Sequence, residues 1–345
     1  MHNRRNFVKH MSAGALLAGM PNILLSQQKA VPDKIWSCLL HLSFNMWEEY
    51  VSPHRPFRGY QPNLNISESL WNNAIVRMSD KGMNMVVIDL GNAVRFKSHP
   101  EIAVKNAWST KKLHEELGKM RKLGLEPIPK LNFSTGHDTW LGKYSRMVST
   151  DEYYKVCSDL IEEVCHLFDN PRYFHLGMDE ESANNQSYYN YIIVRQNDAW
   201  WNDFYFLVGE VEKQKSRAWI WSDYMLWNSP DQFFKKMPKS VIQSNWYYGE
   251  NFPEKLKEVK IQKDIKAYLD LAAHGYDQIP TASFHDKNEK SIRSTVQFCE
   301  KNIEDTRLLG FMQTFWKPTT EEYRERILKG VELAGEAKDW FAKQD

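Results

Sequence analysis

The sequence predicts an α/β fold of the (β/α)8 TIM barrel type in a single domain, and three observations carry that expectation. Eight short β-rich runs recur along the chain, helix-like stretches separate them, and no linker or Pro/Ser-rich break interrupts residues 31–345. Alternating strand and helix implies parallel pairing. A chain of 345 residues with 42% hydrophobic content can bury one large barrel core. A doubly wound sheet with a second domain is the alternative, yet no Gly-rich phosphate loop follows the first strand.

Each run ends in residues suited to chemistry. The first, "IWSCLLHLSF", leads to Asn45, the second, "NMVVIDLG", holds Asp89, and the third, "EPIPKLNF", holds Asn132. The fourth, "YFHLGMD", ends at Asp179 beside Glu180, and the fifth, "AWIWSDYM", holds Asp223. The sixth, "SVIQSNWYY", brings Trp246 and Tyr247; the seventh, "DQIPTASF", precedes Asp286; the eighth, "LLGFMQTFW", ends at Trp316. Among the intervening helices, "STKKLHEELGKMRKLG" starts with a Ser/Thr cap, spaces its apolar residues three to four apart and stops at Gly124. Barrel active sites form where strands end, so these terminators are expected to converge on one mouth. An acidic, aromatic-lined mouth without a basic cluster suits a neutral carbohydrate better than a phosphate.

Charge points the same way. With 45 basic and 44 acidic residues the net charge is +1, which steers the chain toward neither nucleic acid nor an anionic membrane. The 13 Trp and 16 Tyr supply platforms for sugar rings, although most are expected in the core. Near the start, "NRRNFVKHMSAGALLAGMPNILLS" resembles a twin-arginine export signal at Arg4 and Arg5, with an apolar run too short to span a bilayer. Residues 1–30 are therefore excluded from the fold, and the mature protein is expected to be periplasmic or secreted, without a membrane span. Cys38, Cys157, Cys165 and Cys299 lack metal-ligand spacing and are expected to be free, mostly buried thiols.

The stretch "YFHLGMDEES" drives an apolar run into three consecutive acids, Asp179, Glu180 and Glu181, which repel one another. "FHLGMDEE" resembles the His-x-Gly-Gly-Asp-Glu signature of family-twenty glycoside hydrolases, the β-N-acetylhexosaminidases, with Met178 in place of the second glycine. "EPIPKLNFSTGHDTWLG" resembles that family's third-strand pattern leading to Pro-Gly-His. "VVIDLGNAVRFKSHPEI" resembles its segment from an acidic strand end, Asp89, through an Arg, Arg95, to Ser-x-Pro.

The resemblance implies a substrate-assisted retaining mechanism without metal or cofactor. Glu180 would protonate the glycosidic oxygen, and Asp179 would orient the acetamido group and stabilise the oxazolinium ion. The neighbouring anion would help keep Glu180 protonated near neutral pH. His137 and Asp89 would form a relay to Glu180. Trp221, Trp246, Trp316, Arg95 and Asp286 would bind the sugar. Neighbours on a strand face opposite ways, so both acids reach one ligand only if the backbone turns, as Gly177 permits.

Departures from the family accompany these matches. Phe44 stands near the position of a sugar-gripping Arg, with no Arg before Arg55, and the last strand keeps Trp316 without its following Glu. Lys130 and Asn132 replace acids on the third strand. Phe284, His285 and Asp286 replace a Tyr-x-Asp, so Tyr247 or Tyr248 is expected to hold the acetamido oxygen instead. The extra N-terminal domain common in the family is expected to be absent. Two other readings remain: a carbohydrate-binding protein without activity, and a metal-dependent barrel using His41, Asp89, His137 and Glu180.

Overall fold

A computed structural model describes residues 34–253 and 262–344. The twin-arginine-like segment lies outside the described residues. Eight parallel strands form the barrel: β1 (Ile35–His41), β2 (Met85–Asp89), β3 (Glu126–Lys130), β4 (Tyr173–Gly177), β5 (Arg217–Trp221), β6 (Ile242–Ser244), β7 (Thr281–Ser283) and β8 (Gly310–Thr314). Seven fall within the runs read from the sequence, and β5 begins one residue before its run, at Arg217. The hydrogen-bonded order runs β6-β5-β4-β3-β2-β1-β8-β7. Bridges between Trp246 and Thr281, and between Gln243 and Gln278, close the gap between β6 and β7.

The helices α1 (Glu68–Asp80), α2 (Thr110–Lys122), α3 (Asp151–Leu167) and α4 (Asp198–Lys213) follow the first four strands in turn. Two short helices, α5 (Tyr224–Trp227) and α6 (Pro230–Lys236), follow β5, and α7 (Lys263–Ala273), α8 (Ser291–Asn302) and α9 (Arg324–Phe341) complete the ring. Side-chain caps set several of the starts. Ser67 accepts from Leu70 N, Ser109 from Lys112 N and Thr150 from Tyr153 N, each satisfying an amide that the helix itself leaves unpaired. The strands are covered by helices outside and by each other inside, so every residue of β1 and β2 is buried. All four cysteines are free and buried. No helix among the described residues is long and apolar enough to cross a membrane.

β3 reads "EPIPK", an unusual composition for a central strand. Glu126 N donates toward β2, at Asn84 O, whereas Leu131 N and Phe133 N donate toward β4, at His175 O and Leu176 O. Alternation therefore puts the absent amides of Pro127 and Pro129 on the β4 side, and the β3–β4 register reduces to the single pair Lys130–His175. The two strands that carry most of the candidate site are joined chiefly through the segment that follows β3.

Inside the barrel, His41, Asp89, Lys130 and His175 lie in one register row across β1 to β4. Lys130 is fully buried and its ammonium pairs with Asp89 Oδ2, which also lies 3.4 Å from His41 Nδ1. Burial pushes the Asp89 carboxyl up, but Lys130 and His41 outweigh it and hold the group at about 2. Burial, then the Lys130 charge, pushes His175 well down, so its imidazole stays neutral beside Trp219 and Trp221.

This pair should dominate the acid response of the barrel. Asp89→Ala strands a buried ammonium and is expected to cost about 3–5 kcal/mol in urea unfolding, while adding Lys130→Met recovers most of the loss. Because folding depresses the Asp89 pKa, its contribution is complete above about pH 4 and is lost as pH falls toward about 2.

Candidate active site

The end of β4 resolves the crowding of three acids through its backbone. A register irregularity against β5 falls between His175 and Gly177, and left-handed φ follows at Gly177 (+76°), Met178 (+70°) and Glu180 (+51°). The backbone thus leaves extended geometry at three of four successive residues, and consecutive side chains need not alternate as on a strand. Gly177 is required twice over: a Cβ there would lie 1.9 Å from Asn132 Oδ1, at a φ that costs other residues energy. Met178 occupies the same region despite its side chain.

Each acid finds its own partner. Asp179 accepts a 2.8 Å hydrogen bond from Asn132 Nδ2, and its Oδ2 lies 3.4 Å from His137 Nε2. Glu180 Oε2 lies 3.3 Å from the same nitrogen, so one imidazole edge serves both carboxylates through contacts longer than straight hydrogen bonds. Glu181 turns inward to the buried guanidinium of Arg195, which is also 3.0 Å from Asp203. The side chain of Glu180 is 30% exposed against 9% for Asp179 and 7% for Glu181, so Glu180 is the one presented to a ligand.

The loop bearing His137 is fastened to this turn. Ser134 Oγ donates to Asp179 O, Thr135 N donates to Glu181 Oε1 at 3.2 Å, and Tyr189 Oη donates to Gly136 O at 2.8 Å. A Cβ on Gly136 would lie 2.7 Å from Glu180 O, so only glycine allows the loop this close. Cross-loop bonds thus supply the alignment that the weak β3–β4 ladder leaves out.

Aromatic rings wall the mouth. The Trp47 and His137 rings meet edge-on at 4.6 Å, Trp316 lies 5.8 Å from Trp47 and 5.7 Å from Trp221, and Trp246 stacks on Tyr248 at 4.9 Å. Trp316 Nε1 donates to Tyr248 Oη at 2.9 Å, and Trp246 Nε1 donates to Asp223 Oδ2 at 3.0 Å. Trp221, Trp246 and Trp316 therefore gather as expected by position.

The electrostatics differ from expectation. Burial pushes the Glu180 carboxyl up, but His137, with Arg58 and Arg55 behind it, outweighs burial and holds it below its ordinary value. Asp179 does not keep Glu180 protonated in the free protein. The carboxyl pushed upward is that of Asp223, raised well above its ordinary value by burial and then by the Asp179 and Glu180 charges. Asp223 and Glu180 line one cavity of about 410 Å³ together with Glu181, Trp200 and Trp227.

Several sequence assignments require correction. Asp89 makes no ion pair or hydrogen bond with His137, because Lys130 and His41 occupy it inside the barrel. That division also separates the four residues of the metal reading, and among the described residues no group of three or more His, Cys, Asp or Glu could hold a metal ion. Tyr247 bonds Asn251 O at 3.3 Å and packs on Phe252, away from the acids; Tyr248 takes the inward position. Asp286 is exposed and accepts from Asn288 N at 3.1 Å, closing its own turn. Arg95 is exposed on the two-residue strand Val94–Arg95, with no side-chain partner among the described residues. The guanidinium near the acids belongs to Arg58, 4.0 Å above the Trp47 ring. Sequence reading missed Arg58, Arg195 and Trp47, which lie in loops or helix-flanking segments with no motif around them.

No family model matches the chain, and no curated protein matches it. Solved structures do. A β-N-acetylhexosaminidase from Bacteroides fragilis is similar at TM-score 0.57 and 15% identity, over 91% of this chain and 71% of that one. An exo β-N-acetylglucosaminidase from Vibrio harveyi in complex with N-acetylglucosamine is similar at 0.58 and 13%, over 87% and 54%. A β-N-acetylhexosaminidase from Streptomyces coelicolor is similar at 0.57 and 12%, over 88% and 65%. At these identities the likeness is one of fold. The chain spans 54% of the Vibrio structure and 71% of the Bacteroides one.

The turn at β4 can be tested by its glycine. Gly177→Ala should lower stability by more than about 2 kcal/mol in chemical denaturation, from the left-handed backbone and the clash with Asn132 together. Gly118→Ala, inside α2 with nothing within 4 Å of the added Cβ, should stabilise by about 0.5–1 kcal/mol.

Proposed function

We propose that this chain is an exported glycoside hydrolase that removes a terminal 2-acetamido sugar from a carbohydrate by substrate-assisted, retaining catalysis. One observation carries the proposal: two carboxylates adjacent in sequence both reach His137 Nε2, at 3.4 and 3.3 Å, in an aromatic-walled mouth at the strand ends. The similar folds of proteins named β-N-acetylhexosaminidases support it.

In this reading the acetamido oxygen attacks the anomeric carbon as the glycosidic bond breaks, and the leaving oxygen takes the proton of Glu180. Asp179, fixed by Asn132, stabilises the positive charge of the oxazolinium ion. Water then attacks the anomeric carbon, gives its proton to Glu180, and the configuration is retained. Tyr248, tied to Trp316, is positioned to contact the acetamido group, and the tryptophans exclude water. Export by the twin-arginine route belongs to the same proposal and rests on Arg4 and Arg5.

A second reading, a carbohydrate binder without activity, is favoured by the depressed Glu180 pKa, since a general acid must carry a proton.

Leaving-group dependence separates the two. Glu180→Gln should slow a natural glycan by about 10²- to 10⁴-fold and a nitrophenyl glycoside far less, whereas Asp179→Asn should slow both alike. If Asp223→Asn shows the leaving-group dependence instead, Asp223 is the acid. Protein that binds a 2-acetamido sugar and cleaves neither substrate is the inactive binder.

The pH profile gives a further check. Glu180 sits below its ordinary value, so kcat/KM for the glycan should rise as pH falls through the acid range. His137→Gln removes the largest influence holding that pKa down and should move the alkaline limb to higher pH.

A further inference from the structure

The cations at the mouth are not scattered. Arg55 and Arg58 come from the loop after β1, and Lys317 follows β8, the strand that pairs with β1. Arg58 lies 4.0 Å above Trp47, and Lys317 Nζ lies 4.0 Å above Phe57. Arg58 Nε is buried and has no hydrogen-bond partner among the described residues. None of the three cations makes an ion pair within 4.0 Å to a described acid, although Glu48 and Glu180 are close enough to act on Arg58.

Arg55, Arg58 and His137 line a cavity of about 270 Å³ with Trp47, Glu48 and Asn185. One wall is thus the imidazole that contacts the candidate acid. Like charges held together beside low-dielectric aromatic walls repel, and an arrangement of this kind gains energy from an anion that enters it. The mutual cost is visible: burial and then Arg55 bring Arg58 down to about 10, and burial with Arg326, Arg58 and Arg55 lowers Lys317.

We propose that the cavity at Trp47, Arg55 and Arg58 binds an oxyanion substituent of the substrate, a sulfate ester or a carboxylate, so that the preferred saccharide is acidic. This rests on the glycoside hydrolase reading and names the substrate class of that same site. It replaces the neutral carbohydrate expected from composition. The net charge of +1 hides the cluster because acids elsewhere balance it.

Arg58 supplies the directional contact: its Nε and Nη groups can hold two oxygens of a sulfate or carboxylate at once while the guanidinium face stays on Trp47. Arg55, which is exposed, contributes charge at the rim.

Calorimetric binding to the whole protein tests this with N-acetylglucosamine, its 6-sulfate, a disaccharide of N-acetylglucosamine and glucuronic acid, and inorganic sulfate at constant ionic strength. The expected result is at least tenfold tighter binding of a charged sugar than of the neutral one, with the better anion identifying its source. Arg58→Gln should bring that ratio close to one. Arg55→Gln, which alters an exposed side chain and spares the fold, should reduce the ratio by a few-fold. Equal binding of neutral and charged sugars overturns the proposal, as does a ratio that survives Arg58→Gln. Sulfate binding that requires Arg58, in protein that takes no sugar, upholds the anion site and removes the hydrolase reading. Failure to bind sulfate and both charged sugars, while the neutral sugar binds, removes the anion site and leaves the hydrolase reading intact.

Discussion

Three adjacent carboxylates at the end of β4 can coexist only because the backbone separates them. Left-handed conformations at Gly177, Met178 and Glu180 send Asp179 to Asn132 and His137, Glu180 to the mouth beside His137, and Glu181 inward to Arg195. The rest of the site follows from that division. Arg195 neutralises Glu181, which leaves the half-buried Glu180 and the buried Asp179 with a shared imidazole between them. Without the turn, alternation would point Asp179 and Glu180 to opposite faces of the strand.

The same economy of charge operates beneath the site. Lys130 and Asp89 neutralise each other inside the barrel, so the layer under the mouth is polar and nearly free of net charge. Burial of Asp223 next to two carboxylates pushes its pKa well up, and Trp246 donates a hydrogen bond to it. The mouth therefore holds two carboxyl groups pushed in opposite directions, Glu180 down and Asp223 up, which is how environments assign acid and base roles to like side chains. Burial pushes Glu180 upward as it does Asp223, but His137, with Arg58 and Arg55 of the loop after β1 behind it, outweighs burial and holds that carboxyl below its ordinary value.

Much of this was legible in the sequence because it is local. Apolar runs with polar terminators fix the eight strands, the Ser109 cap and Gly124 bound α2, and the fourth run places Asp179 and Glu180 beside the segment that ends at His137. What escaped is non-local. Asp89 was expected to serve His137, yet Lys130, its neighbour in register on β3, claims it first. Arg58 and Lys317 sit far apart in the chain and converge only because β1 pairs with β8 around the closed barrel. Tyr247 and Tyr248 are adjacent, so which ring faces inward depends on a backbone direction that residue type does not encode; Trp246 and Trp316 select Tyr248.

The central claim is that the substrate's own acetamido oxygen is the nucleophile, held by Asp179. Hydrolysis rates for nitrophenyl glycosides bearing N-acetyl, N-fluoroacetyl, N-difluoroacetyl and N-trifluoroacetyl groups test it most directly, because each fluorine weakens that oxygen and leaves the aglycone unchanged. The account predicts a rate that falls steeply and monotonically along the series. A rate independent of fluorination, with turnover intact, would mean that an enzyme carboxylate or a water attacks instead.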